Sequence, residues 1–320
     1  MLNFIHIPKT AGTSFRLAAE EVFGASRIVY DYGKAAQETS DIVHRHVYEE
    51  PDLWAFHEAC KAQNAAMVGG HMNCNKFVGA MGVANIVTFV REPLQRIASE
   101  FEHFVRVKGY QGSFQEFYSQ PKMQNRLTRA FKDVPVYAAG FVGVTERYDE
   151  SLQMLNALTG MGIPVKQENL GKGQVGAVHE FTRDDLEQLR QLNKQDLRLY
   201  RRCLALFEER KELFEQGKPF VHGRLTQAAP KRIAGWAWWE PVASEQSVEV
   251  EVFVNGQFQR SVRAVDFMPN LLKIRPPRGG YVGFHLPMSL QVGDVVSCRV
   301  HETGQLLGEI EVTEPEKRGR

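Results

Sequence analysis

The start of the chain constrains its fold more than any other stretch. The apolar run Asn3-Phe-Ile-His-Ile7 leads directly into Pro8-Lys-Thr-Ala-Gly-Thr-Ser14, and helical spacing follows from Phe15 to Val22. A strand without polar alternation is buried on both faces, and a small-residue loop between it and a helix aims backbone N–H groups at one point. A unit of this kind belongs to a layered α/β architecture.

Three further runs, Ala66-Met-Val68, Asn85 to Val90 and Phe141-Val-Gly-Val144, read as buried strands, and Leu94 to Phe104 reads as a helix. The alternation predicts an α/β fold with a P-loop-like, mainly parallel sheet flanked by helices. A helical stretch from about Asp184, with Thr182 as its N-cap, continues through Phe207 and stops at Gly217-Lys218-Pro219. Beyond it the period changes to two. Ser247 to Val254 alternates strictly and is followed by Asn255-Gly256, a preferred hairpin dipeptide. The segment Asp294 to Glu302, Thr303-Gly304, Gln305 to Val312 repeats that design. The expected organisation is an α/β domain over 1–220, a small all-β, sandwich-like domain over 221–313 and a charged flexible tail over 314–320.

Composition sets the boundaries on function. With 43% hydrophobic residues in 320, the chain can bury a sizeable core. Lys and Arg total 39 against 38 Asp and Glu, so no global field favours a nucleic acid, and any anion site must be local. The cysteines Cys60, Cys74, Cys203 and Cys298 form no CxxC pair or dense framework and read as reduced thiols. No run approaches the ~20 apolar residues of a membrane span, and Leu2 to Ile7 is too short for a signal-peptide core. These features predict a cytoplasmic protein without an integral membrane segment; they leave the oligomeric state open.

The loop after the first strand is read as an anion site. Lys9 contributes a full charge, Thr10, Thr13 and Ser14 contribute hydroxyls, and Ala11 and Gly12 keep the backbone accessible. It is not a Walker A sequence, because Lys9 precedes the single glycine. A plain strand-to-helix turn with Thr13 or Ser14 as N-cap is the alternative. A second feature is Val90-Arg-Glu-Pro-Leu-Gln-Arg-Ile-Ala-Ser99. Pro93 suits the first helical position, which places Arg91 at a strand's carboxyl end, where open α/β sheets bind ligands. Leu94, Ile97, Ala98 and Phe101 form the packed face, and Ser99 falls on the other side with Gln95 and Arg96. Arg91 and Ser99 can then converge on a second anion; otherwise Arg91 pairs with a carboxylate such as Glu92.

Two anion sites on neighbouring strand ends suit a nucleotide phosphorylated at both ends of its ribose. Pro8-Lys-Thr-Ala-Gly-Thr-Ser14 resembles the 5'-phosphosulfate loop of sulfotransferases that use 3'-phosphoadenosine 5'-phosphosulfate (PAPS), and Arg91 with Ser99 resembles their 3'-phosphate motif. The chain is most similar to carbohydrate sulfotransferases related to the hexuronic acid 2-O-sulfotransferases. The likeness extends over about residues 1–215, including Phe141 to Glu146 and Asn193-x-x-Asp196-x-x-Leu199-Tyr200. It implies PAPS as co-substrate, a glycan or glycoconjugate acceptor, and Lys9, Thr10, Ala11, Gly12, Thr13, Ser14, Arg91 and Ser99 as donor contacts.

Sulfuryl transfer to a hydroxyl needs a base, and a near-neutral imidazole suits the task. His71, in Gly69-Gly70-His71 after a third strand, matches the Gly-His that supplies the base in those families. The relatives carry a further histidine where this chain has Gly69. A core histidine bonded to a carbonyl is the alternative reading of His71. His6 is assigned to a strand and His44-Arg45-His46 to a loop or acceptor surface. The spacing of His44, His46, His71 and Cys74 matches no zinc signature, so no metal is expected. Lys122, Arg126, Arg129, Phe131 and Lys132 lie on an expected helix and, with Arg45, either line an acceptor cleft favouring an acidic sugar or form a solvated face. Trp236, Trp238 and Trp239 can stack on sugar rings or fill a core. The competing functions are a nucleotide-dependent kinase with a divergent phosphate loop, which lacks a clear strand-end aspartate for Mg2+, and a non-catalytic glycan-binding protein.

Overall fold

A computed structural model describes residues 1–165, 179–241 and 245–314. It divides into two compact units, Met1–Glu208 and Glu209–Arg320. Past Glu314, the charged tail expected over 314–320 lies outside the described residues. Among those residues no helix is long and apolar enough to cross a membrane.

The first unit is α/β. Five parallel strands, β1 (Leu2–Ile5), β2 (Ile28–Asp31), β3 (Met67–Gly70), β4 (Ile86–Val90) and β5 (Phe141–Val144), form a sheet in the order β2-β3-β1-β4-β5, flanked by helices. Strand β2 has no counterpart among the sequence-read runs. It is four residues long and follows directly on Arg27, too short to show a period. The central strand pairs on both sides: Ile5 with Gly70 of β3 and with Thr88 of β4, whose hydroxyl donates to the Ile5 carbonyl at 2.7 Å. Helix Gly12–Phe23 lies against this sheet through Phe15, whose ring meets Phe4 at 4.5 Å and Phe89 at 5.3 Å. Burying these three rings fixes where the helix begins over β1 and β4.

Strand β1 ends at Ile5, earlier than the sequence reading. His6 therefore lies beyond the strand, and its N–H donates to the Gly70 carbonyl at 2.9 Å. The stretch expected as one helix from Asp184 is two, Arg183–Leu192 and Lys194–Glu215. Thr182 caps the first as expected, accepting from Asp185 N. The break falls at Asn193, whose amide oxygen accepts from Asn125 N at 3.0 Å and whose amide nitrogen donates to Leu189 O at 3.0 Å.

The second unit contains two four-stranded antiparallel sheets. One has the order β10-β11-β7-β6 and the other β13-β12-β8-β9. The strands are β6 (Val221–Ala229), β7 (Arg232–Trp239), β8 (Glu249–Val254), β9 (Gln257–Arg263), β10 (Asp266–Phe267), β11 (Tyr281–Pro287), β12 (Val295–Val300) and β13 (Leu306–Glu311). Val221, Leu225, Ile233 and Phe284 from the first sheet share one core with Val250, Val252, Val296 and Cys298 from the second. Asn255 and Gly256 turn β8 into β9 with positive φ at both, as a two-residue hairpin requires. The β12–β13 connection is longer than the expected Thr303-Gly304 dipeptide, because Val300 and Gln305 close a wider loop through the Val300 N to Gln305 O bond of 2.8 Å. The unit boundary precedes the sequence-read 220/221 junction and falls inside the Lys194–Glu215 helix. Glu209 accepts from Leu306 N and from the Gln305 amide, and Arg210 bonds the His222 ring, so these helical residues belong to the β unit.

Candidate functional site

The loop after β1 has the backbone an anion site needs. Lys9 and Ala11 both take positive φ, 67° and 63°, bracketing Thr10. Left-handed residues in such a loop turn successive N–H groups toward one concave side. The residue at the N-cap of helix Gly12–Phe23 is Ala11, and no side chain caps that terminus. Alanine at the N-cap offers no side-chain oxygen to the helix start, and the first turn carries no acidic residue. Thr13 and Ser14 lie within the helix and are not its cap, Thr13 exposed and Ser14 buried. Thr10 behaves differently from the sequence reading: its buried hydroxyl donates to Ile7 O at 2.9 Å and tightens the loop.

Gly12 is required by packing. A Cβ there would sit 2.0 Å from Cδ2 of His6, whose ring lies against the start of the helix. A second close approach explains the glycine before His71, since a Cβ on Gly70 would come within 1.9 Å of Asp31 O in β2. The two glycines let the ends of β1, β2 and β3 converge.

Arg91 follows β4 directly, is 6% exposed, and reaches the loop: its guanidinium donates to Lys9 O at 3.5 Å. Strands β1 and β4 are neighbours, and the chain leaves β1 for β2 on one side and β4 for β5 on the other. A crevice opens where adjacent strands part in this way. Glu146, just past β5, accepts from Glu92 N at 2.8 Å and from the Tyr200 hydroxyl at 3.1 Å, so it pins the Arg91–Pro93 turn. Ser99 is half-buried in the second turn of helix Pro93–Lys108. Arg96 does not share an open side with Ser99. It is 1% exposed and pairs with Glu100 at 2.5 Å, because residues four apart on a helix face each other. Burial, Arg106 and Arg91 hold the Lys9 ammonium below its ordinary pKa.

His71 borders a cleft of about 340 Å³ together with His6, Pro8, Asn73, Lys122, Arg126 and Arg129. Its ring reaches solvent and is met edge-on by His6 at 4.6 Å and Tyr32 at 5.0 Å. Burial and the Arg126 charge depress its pKa, opposed by Glu100. The imidazole is therefore neutral near pH 7 and able to accept a proton. His6, assigned to the strand from sequence, is the residue that reading missed. It is 8% exposed, its Nδ1 has no hydrogen-bond partner among the described residues, and burial followed by the His71, Arg16 and Lys9 charges lowers its pKa to about 3. Its position directly before Ile7-Pro8-Lys9 was the one available signal.

Arg126 and Arg129 belong to a short helix, Arg126–Ala130, after a separate turn at Pro121–Met123. Arg126 pairs with Glu100 at 2.9 Å, and Arg129 donates to Lys122 O at 2.5 Å and Gln124 O at 2.8 Å. Asp196 holds this helix from beneath, accepting from Leu127 N at 2.9 Å, Thr128 N at 2.8 Å and the Thr128 hydroxyl at 2.7 Å. Arg45 lies on the exposed side of the His44–Glu49 turn and does not line the cleft. Trp236, Trp238 and Trp239 are 3%, 1% and 7% exposed: Trp239 lies in the core shared by the two sheets, while Trp238 is stacked between His222 and Trp236, so none offers a stacking surface for a sugar. Among the described residues no group of three or more His, Cys, Asp and Glu is placed to hold a metal ion. Comparison with family models and with curated proteins finds no match to the chain.

Proposed function

We propose that the Met1–Glu208 unit is a PAPS-dependent sulfotransferase of P-loop-like architecture acting on a hydroxyl of a glycan or glycoconjugate. The observation that carries this reading is the meeting of Arg91 with the Lys9 carbonyl at the parting of β1 and β4. One ligand with anionic groups at two places fits a crevice with a cation and an uncapped helix start on one wall and a buried guanidinium on the other. Thr10 shapes the loop, while the Lys9 and Thr13 side chains and the backbone of Ala11, Gly12 and Ser14 are assigned to the phosphosulfate. Arg91, with Ser99, takes the 3'-phosphate.

In the reaction the acceptor oxygen attacks sulfur as the sulfuryl–phosphate oxygen bond breaks, and adenosine 3',5'-bisphosphate leaves. Neutral His71 takes the acceptor proton. Lys9 and the loop N–H groups stabilise charge on the departing phosphate. Lys122, Arg126 and Arg129 around the cleft suit an acceptor with its own acidic group. The four cysteines are free and buried, in keeping with a cytoplasmic setting.

Calorimetric titration with adenosine 3',5'-bisphosphate tests the donor class directly. Saturable binding that Lys9→Ala weakens is expected, together with loss of most of the sulfotransfer rate in that variant. Absence of binding to the folded protein would sink the assignment.

A further inference from the structure

Away from His71, the first unit has a second cleft of about 700 Å³, lined by Leu94, Phe181, Leu186 and Leu197 on its floor and by Arg190, Lys194, Arg198 and Arg201 on its wall. Lys194, Leu197, Arg198 and Arg201 recur at three- and four-residue steps and so share one stripe of the Lys194–Glu215 helix. At a 1.5 Å rise per residue the three cations span roughly 10 Å. All four cations are exposed, and none forms an ion pair with a described residue. Glu92 also lines the cleft, but its carboxylate accepts from Gln95 N at 2.7 Å and is committed to capping its own helix. Gln95 in turn holds residue 179 through paired bonds to the His179 backbone, which steadies the rim.

Three cations on one stripe of this helix, joined at the cleft by Arg190 of the helix before it, exceed what a solvated helix face uses, since exposed basic residues on such helices commonly alternate with acids. The three charges of the stripe are spread along the helix and do not converge with backbone N–H groups on one point, which selects a chain of anions over a single phosphate. Bases would need aromatic platforms. The one aromatic ring here, Phe181, is already stacked on Phe114 at 6.1 Å. We infer that this cleft binds an acidic oligosaccharide, carboxylate or sulfate groups along the cationic wall and sugar faces on the apolar floor. The choice of a glycan rests on the sulfuryl-transfer reading, whereas the anion-chain geometry does not.

The test is direct binding of a sulfated uronic-acid hexasaccharide to the full chain, read by calorimetry at two salt concentrations, with Arg198→Glu compared against Arg202→Glu. Both substitutions fall on exposed residues of one helix and change net charge equally, but Arg202 lies outside the cleft. Arg198→Glu is expected to weaken binding about tenfold and reduce its salt dependence, with Arg202→Glu near the parent. Equal losses in both variants, or no binding by the parent, overturn the inference. Tighter binding of a single-stranded oligonucleotide through the same residues overturns the glycan assignment. Adenosine 3',5'-bisphosphate titrated in parallel separates the two proposals: failure of that ligand alone removes the donor reading and leaves the cleft standing.

Discussion

The guanidinium of Arg91 and the backbone carbonyl of Lys9 approach to 3.5 Å although 82 positions separate them in the chain. This contact joins the ends of two neighbouring strands, β1 and β4. Replacing Arg91 by Ala should weaken adenosine 3',5'-bisphosphate by about 10- to 100-fold, the range for a lost charge-assisted bond, and leave adenosine 5'-phosphate nearly unchanged. Parallel calorimetric titrations check this, and equal losses for both nucleotides would contradict a 3'-phosphate site.

His71→Ala should abolish turnover while adenosine 3',5'-bisphosphate still binds. If His71 is the base proposed above, the parent's rate is retained above the His71 pKa and falls as pH drops through it. That limb should lie below the ordinary 6.5, because burial and Arg126 depress the group. Arg126→Gln removes the depressing charge and leaves Glu100 with one cation fewer, so the acid limb should move to higher pH. A limb that stays in place in the pH–rate profile would remove Arg126 from the electrostatics of His71.

His6 makes the fold acid-sensitive. Its pKa is about 3 when folded, below the ordinary 6.5, so between those values the unfolded chain binds the proton that the native state refuses. Stability from this group is complete above 6.5 and declines as pH falls toward 3. Urea titrations at pH 7 and pH 4 should differ by about 3 kcal/mol more in the parent than in His6→Asn. Identical pH dependence in both would show that His6 does not carry this effect.

Gly12 and His6 should be energetically coupled. Gly12→Ala alone puts a methyl into the His6 ring and should cost about 1–3 kcal/mol, whereas the same substitution in a His6→Ala background should cost at least about 1 kcal/mol less. Additive losses in a double-mutant cycle would mean that the two residues do not meet in solution.

Asp196→Ala strips three acceptor bonds from the helix that carries Arg126 and should destabilise by about 3 kcal/mol, with Asp196→Asn intermediate. Chemical denaturation measures this. Because Arg126 lines the His71 cleft, acceptor KM should rise in the same order, while affinity for adenosine 3',5'-bisphosphate holds.

The elements that start helices or turn the chain were legible in the sequence because their signals are local. Lys9 to Ser14 announce a strand-to-helix loop by small residues and hydroxyls, Pro93 marks a helix start after Arg91, and Asn255-Gly256 marks a hairpin. These signals act within a few residues, through φ restrictions and side-chain periodicity. The short strand Ile28–Asp31 carried no such pattern, and the wider β12–β13 loop needed its closing hydrogen bonds to be seen.

What the chain alone determined, then, is the α/β alternation, the β-rich C-terminal part and the chemistry available in each loop. The tertiary structure decided which of those loops meet. Parallel pairing placed β1 between strands whose residues follow it by more than sixty positions, and so brought His6 against His71 and Arg91 against Lys9. Asp196 and Glu100 decided where Arg126 stands, the shared core of the two antiparallel sheets took in Trp239, and the opposite face of β7 buried Trp236 and Trp238 beside His222. Hydrophobic burial and long-range hydrogen bonds make these choices, and neither has a local period by which a sequence would reveal its partner.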